Sequence, residues 1–361
     1  MTLSRRFSLF VLSSLVLTGF AWAVAPPSGG GGGTGGGGGS GSGGAVNYAF
    51  VYQDSGTGDL YLTTSGGAVK TKLTSSGKGT DYAPAWSPDL DLTTPGHQGY
   101  IAFFRQYDPR YVWGGIFIVP SDMSTPPVEV RSYKTSDPRP PSRDSGLSWT
   151  PDGLHIVYAS DFDRVSALSV ATGNVTLLFK DPQNPNVAGY TYDPSLSPDQ
   201  FPEVPGYQGF LSFSFAFDIV MAPVEVDEAG VWTVGPMSNL TQSSDVSESR
   251  PVWSPDGSTL AYFRGDAGTN TGRGLNILDV ATGDITSVIN TYQDRVPPCW
   301  SPDGLFLGFH DAHQVSGKWT TDVFYVSPWD LSPRINVTKT NSSSSNEVLP
   351  NWNPAWVNDI P

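Results

Sequence analysis

"RPVWSPDGSTLAYF", residues 250–263, sets a Trp, a Pro, an Asp and a Gly against an apolar, strand-like run. The pattern returns as "PPCWSPDGLFLGF" at 297–309 and stands earlier as "GLSWTPDGLHIVY" at 146–158. A catalytic site is rarely copied along one chain, whereas a structural unit is, so the stretch reads as architecture. Pro presets its own φ and Gly accepts a positive one, which makes S-P-D-G a turn with a mechanism. The run behind it alternates apolar, small and aromatic residues, as in Leu260-Ala261-Tyr262 and Leu307-Gly308-Phe309, the period of a strand packed between sheets.

Aligned on the motif Trp, six copies fall at Trp86, Trp149, Leu196, Trp253, Trp300 and Trp352, spaced 63, 47, 57, 47 and 52 residues apart. Repeats of this length, rich in turns and short apolar runs, read as propeller blades of four strands, A to D. Trp to strand B aromatic is nine residues in three copies and 17 in two. Those two share a similar insertion, "PGHQGYIAF" at 95–103 and "PGYQGFLSF" at 205–213. Strand C and its turn repeat as "LSVATGNV" at 168–175 and "LDVATGDI" at 278–285. Only nine residues follow Trp352, too few for three more strands. "NYAFVY" (47–52), "DLYLTTS" (59–65) and "VKTKLT" (69–74) supply them from before the first motif. The expected fold is therefore all-β, a six-bladed β-propeller of four-stranded antiparallel blades, its ring closed by N-terminal strands plus a C-terminal strand.

Residues 1–25 carry Arg5 and Arg6, a short apolar run and small residues up to Ala23 and Ala25, the pattern of a cleaved secretory signal peptide. Residues 26–45 form a Gly-rich flexible linker, and 46–361 form the propeller. The expected location is periplasmic or secreted, with no membrane insertion after cleavage. A net charge of −14 argues against nucleic acid and anionic lipid as partners. Cys299 is the single cysteine and is expected as a buried free thiol, since the chain holds no disulfide partner for it.

Repeated P-x-W-S-P-D-G motifs followed by I-A-F strands resemble the TolB-type six-bladed propeller, over nearly all of residues 46–356. The resemblance implies a propeller without the α/β domain that precedes it in TolB, where a glycine tether stands here. It also implies a channel mouth that docks protein partners. Lyases acting on pectic oligosaccharides have a similar propeller with a metal site, which supplies the enzymatic rival.

Three constellations are candidates for function. Five residues before each motif Trp stand Asp81, Asp144, Thr191, Glu248, Arg295 and Glu347. They suggest a largely acidic collar at the mouth where D–A and B–C loops gather, suited to a cationic partner; alternatively, each acid caps its own turn. "FRQYDPRYVWGG" (104–115) brings Arg105, Tyr107, Arg110, Tyr111 and Trp113 to a B–C loop. Flat rings and forked donors there suit a sugar or peptide, although Tyr111 and Trp113 can equally open strand C. On another B–C loop, His310, Asp311 and His313 are candidate ligands for a divalent cation, with solvated loop histidines as the plainer account. No other cofactor is expected. The sequence lacks a G-x-S-x-G elbow and a Gly-rich phosphate loop, and its N-x-S/T triplets at Asn174, Asn239, Asn336 and Asn341 read as strand or loop polar groups. Together these features point to an exported, non-enzymatic binding or scaffold protein that docks an envelope protein or peptide, basic in character. A glycan-binding module or metal-assisted oligosaccharide lyase is the alternative.

Overall fold

The computed structural model describes residues 49–88, 99–108, 113–134, 141, 146–160, 163–181, 192–200, 206–266, 273–291, 297–330, 333–339 and 347–352. The chain divides into two units between Gly44 and Ala45, and all of these residues belong to the second. They form strands and turns, with no helix among them. Six antiparallel sheets arise, arranged as a six-bladed propeller in which strand A of each blade lines the central channel and D lies outermost.

Blade 1 comprises Thr80–Trp86, Tyr100–Gln106, Gly114–Pro120 and Val128–Tyr133, and blade 2 Leu147–Trp149, His155–Ser160, Arg164–Ser169 and Val175–Lys180. Blade 3 runs Tyr192–Leu196, Tyr207–Phe215 and Asp218–Val226, and its outer edge is split into Trp232–Val234 and Ser238–Asn239. The split falls at Gly235-Pro236, where Pro has no N–H to donate to the ladder. Blade 4 holds Val246–Trp253, Thr259–Asp266, Arg273–Asp279 and Ile285–Thr291, and blade 5 Cys299–Trp300, Leu307–Val315, Lys318–Val326 and Ile335–Asn336. In blade 6 the inner strand, Glu347–Trp352, pairs antiparallel with Phe50–Asp54, placing Trp352 opposite Phe50; Asp59–Thr63 and Lys70–Lys72 follow outward.

The repeated motif does two structural jobs. Gly153, Gly257 and Gly304 sit at φ 69°, 71° and 70°, the left-handed region that glycine enters without strain. Each N–H donates to the Thr or Ser three residues back, and the motif Asp takes up the hydroxyl of that same residue, Ser254 to Asp256 at 2.6 Å. The indoles then join blades: Trp149 Nε1–H donates to Ala85 O (3.0 Å) and Trp300 Nε1–H to Val252 O (3.1 Å). Between blades, strand B and C side chains interdigitate. Blades 6 and 1 meet through Val51, Leu60, Trp86, Ile101, Phe103 and Val119, all buried. Each large side chain buried in such a seam stabilises by about 1.5–3 kcal/mol. Cys299 is buried and in no disulfide, its thiol donating to Gly308 O at 3.6 Å.

Candidate functional site

The inner strands enclose a channel of about 480 Å³. Two residues before the Trp position stand Pro84, Pro194, Pro251, Pro298 and Pro350, with Leu147 in blade 2. An inner strand has one unpaired edge, so a Pro there forfeits no ladder bond. The walls are consequently apolar rings rather than donors. Asp193 is the one charged side chain in the lining among the described residues. It accepts the Gly146 N–H at 2.8 Å and pairs with Arg250 Nη1 at 2.6 Å, tying blades 2, 3 and 4 together at one level.

That level is conformationally costly. Ala83, Asp193 and Arg250 have φ of 53°, 51° and 64°, each directly before a proline and within a bulge of its A–B pairing. A non-glycine residue in the left-handed region before Pro is doubly disfavoured and persists only where its surroundings over-determine it. Sequence reasoning missed this trio. Its signal was available as A-P, D-P and R-P dipeptides at one fixed offset from the motif.

The expected acidic collar does not form at the described positions. Asp81 is 0 % exposed and held bidentately by Arg105, Nε and Nη2 at 2.6 and 2.7 Å. Glu248 is 1 % exposed, with Arg264 Nε 3.4 Å away. Burial pushes its pKa above the ordinary carboxylate value, with the nearby Thr241 and Ser243 hydroxyls and Arg264 pulling back. Both acids face an Arg directly opposite on strand B, Asp81↔Arg105 and Glu248↔Arg264, so their charge is spent inside the sheet. Turn capping does not describe them either, because the partner lies across the ladder. Glu347 sits on the inner strand opposite Asp54, while Asp144 and Arg295 lie outside the described residues.

The aromatic loop is also reassigned. Arg105 is the next-to-last residue of strand B; its fork is committed to Asp81 and its guanidinium lies 5.0 Å from the Phe117 ring centre. Its flank borders a second cavity of about 330 Å³, shared with Lys72, Thr74 and Ser75 of blade 6. Tyr107 is 40 % exposed, and its hydroxyl donates to Glu129. Burial of that hydroxyl and the adjacent carboxylate raise its pKa to about 12. Trp113 is half-buried at the entry to strand C, its carbonyl accepting the Tyr107 N–H. Arg110 and Tyr111 lie outside the described residues.

His310, Asp311 and His313 belong to strand B, which runs on to Val315, and not to a loop. The period of two sends His310 to one face and Asp311 and His313 to the other. Asp311 pairs with Arg334. Its cross-strand partner Asp322 takes His313 Nε2 at 3.3 Å, Asn336 Nδ2 at 2.6 Å and Thr338 Oγ1 at 3.1 Å. Among the described residues no three His, Cys, Asp or Glu side chains gather as a metal site. This arrangement is an ion-pair and hydrogen-bond lattice.

Structural comparison finds similar solved structures. TolB from Acinetobacter baumannii superimposes with a TM-score of 0.58 at 17 % identity, over 85 % of this chain and 66 % of that one. The chain thus spans just under two thirds of that protein. A protein described as a TolB from Agrobacterium tumefaciens gives 0.46 at 14 % identity, over 86 % and 99 % of the two chains. An oligogalacturonate lyase in complex with manganese gives 0.43 at 13 %, over 82 % and 86 %. No family model and no curated protein matches the sequence. The chain has a TolB-like six-bladed propeller fold.

Proposed function

We propose that the protein is an exported, non-enzymatic binding or scaffold protein that docks a protein or peptide partner over an end of its channel. The observation that carries this reading is the channel itself: about 480 Å³, walled largely by proline and indole rings, with Asp193 the one charged side chain among its described lining. Such walls suit apolar side chains of a protruding segment, while the neutralised Asp81 and Glu248 leave no charged machinery at their positions. The TolB-like fold supports a binding role by analogy only. Export rests on the signal-like pattern of residues 1–25, and no described helix is long and apolar enough to cross a membrane.

The test is capture from the native envelope fraction by wild type and by Ser148→Trp, which fills the channel from its lining. A partner retained by wild type and lost by the folded variant supports the reading; equal retention overturns it. Exposed Tyr107 and Trp319 favour a second reading, a glycan-binding module, because flat exposed rings stack on sugars. Oligosaccharide binding lost in Trp319→Ala and indifferent to Ser148→Trp would select it.

A further inference from the structure

Residues 181–249, which contribute the whole of blade 3, hold ten Asp and Glu and no Lys, Arg or His. Part of that charge is used inside the fold: Asp193 meets Arg250, Asp218 takes the Asn239 amide, and Glu248 faces Arg264. The acids of the hairpin between strands C and D, Asp227 and Glu228, are exposed instead. Asp227 Oδ1 accepts the Ala229 and Val231 N–H groups, both at 2.9 Å, which pins the hairpin tip and leaves its charge facing water.

Blade 2 brings a matching corner to this hairpin. Its buried His155 packs edge-on against Trp232, with 5.4 Å between ring centres, and a Cβ on Gly230 would lie 3.8 Å from His155 Nε2. The turn just before His155 therefore sets Asp152 and Leu154 beside the hairpin, Asp152 Oδ1 accepting the Leu154 N–H at 2.9 Å. Leu154 and Val231 are 58 % and 59 % exposed, and Val234, two residues beyond Trp232 on the same sheet face, is exposed as well. Among the described residues, Asp152, Asp227 and Glu228 have no Lys or Arg ion-pair partner. Burial lowers the pKa of His155 below its ordinary 6.5, with Asp152 pulling back, so the imidazole supplies no positive charge at neutral pH.

We propose that this corner of blades 2 and 3 is a docking surface for a basic segment of a partner protein, whose aliphatic side chains cover Leu154, Val231 and Val234 and whose Lys or Arg side chains reach Asp152, Asp227 and Glu228. Charge complementarity selects that occupant: three carboxylates around apolar surface attract a cationic chain and repel an anionic one. A second copy of this chain docking through the same corner would bring those carboxylates against themselves. Lys and Arg stems also lie along apolar surface while their heads reach charge, so one side chain serves both halves of the corner. Trp232, half-buried against the seam of blades 2 and 3, gives the surface a fixed floor. None of the six side chains lines the channel, so the surface is independent of it.

The experiment uses the full chain and two fluorescein-labelled peptides, Lys-Val-Lys-Leu-Ser-Val-Lys and its twin with Glu for each Lys, read by anisotropy. The basic peptide should bind at least about tenfold more tightly than the acidic one and weaken as salt rises from about 0.05 to about 0.5 M. Glu228→Lys should weaken it by about tenfold. Asp284→Lys, the same charge change on the C–D turn of blade 4, should leave it within about twofold. Val231→Ser should weaken it by about fivefold through lost apolar contact alone. All three positions are exposed, and each variant is expected to melt as wild type does. Ser148→Trp in the channel should change nothing, so failure of the channel reading and failure of this one are separable. Equal binding of the two peptides, absence of binding, an equal loss in Glu228→Lys and Asp284→Lys, or indifference to Val231→Ser overturns the proposal.

Discussion

Blades 3 and 5 attach their outer edge differently from blades 2 and 4. In blades 3 and 5, strands B and C are nine residues each, turning through pairs with both φ positive, Ala216-Phe217 and Ser316-Gly317. The strand segment nearest the D–A loop is only two residues, Ser238–Asn239 or Ile335–Asn336. A side-chain clamp holds it. Asp218 takes the Asn239 amide at 2.7 Å and Asp322 the Asn336 amide at 2.6 Å, while Thr241 and Thr338 hydroxyls accept strand C N–H groups. In blades 2 and 4 the outer strands run six and seven residues and pair with strand C through longer backbone ladders. The A-T-G turn sets their start, with Gly173 and Gly283 at φ 70° and 79°. Two-residue strands cannot supply enough ladder bonds, so a carboxylate replaces them. N-L-T and N-V-T are thus clamp residues, and blade 6 uses Asp59, Lys72 and Thr74 in the same places.

Breaking the clamp should cost more than straining the turn. Asp322→Ala leaves His313, Asn336 and Thr338 without their buried acceptor, and we expect a loss of about 3 kcal/mol in urea unfolding; under 1 kcal/mol would make the clamp incidental. Asp218→Ala, at a half-exposed position, should lose about 1–2 kcal/mol, since water can replace the carboxylate. Among the turn glycines, Gly173→Ala should be worse than Gly283→Ala. Both meet the left-handed penalty of about 1 kcal/mol, but only at Gly173 would a Cβ lie 2.8 Å from Val130 O. Equal melting of the two variants would show that the neighbouring blade yields.

The smallest effects are pH-dependent and opposite in sign. Asp59 is desolvated, yet Lys72 and Ser76 outweigh burial and lower its pKa below 3.8. Its contribution is therefore present above that ordinary value and fades as pH falls through the lowered one. Glu248 binds its proton more tightly when folded, because burial raises its pKa above 4.5. Its contribution is present at low pH and is lost as pH rises from 4.5 through the raised value. Stability of Asp59→Asn should thus fall relative to wild type on going from acid toward neutral pH, and that of Glu248→Gln should rise. Parallel curves for the two variants would remove the distinction between a paired clamp acid and a desolvated one.

The S-P-D-G turns, the apolar-small-aromatic strands and the count of six copies were legible in the residues, because each depends on neighbours a few positions away. Pro sets φ, Gly takes the left-handed turn, and alternation marks the buried faces; none of these needs a distant partner. Asp81, Glu248 and His313 were a different matter. Whether a carboxylate lights a channel mouth or disappears into a sheet depends on which side chain the register places opposite it, and Arg105 and Arg264 stand 24 and 16 residues further along. Strand B also extends past the point where its sequence looks like a loop, which turns a candidate metal site into a clamp. Local chemistry thus determined the blades, whereas the charge at their ends was decided only when folding paired strands, since burial and cross-strand ion pairing are properties of the assembled sheet.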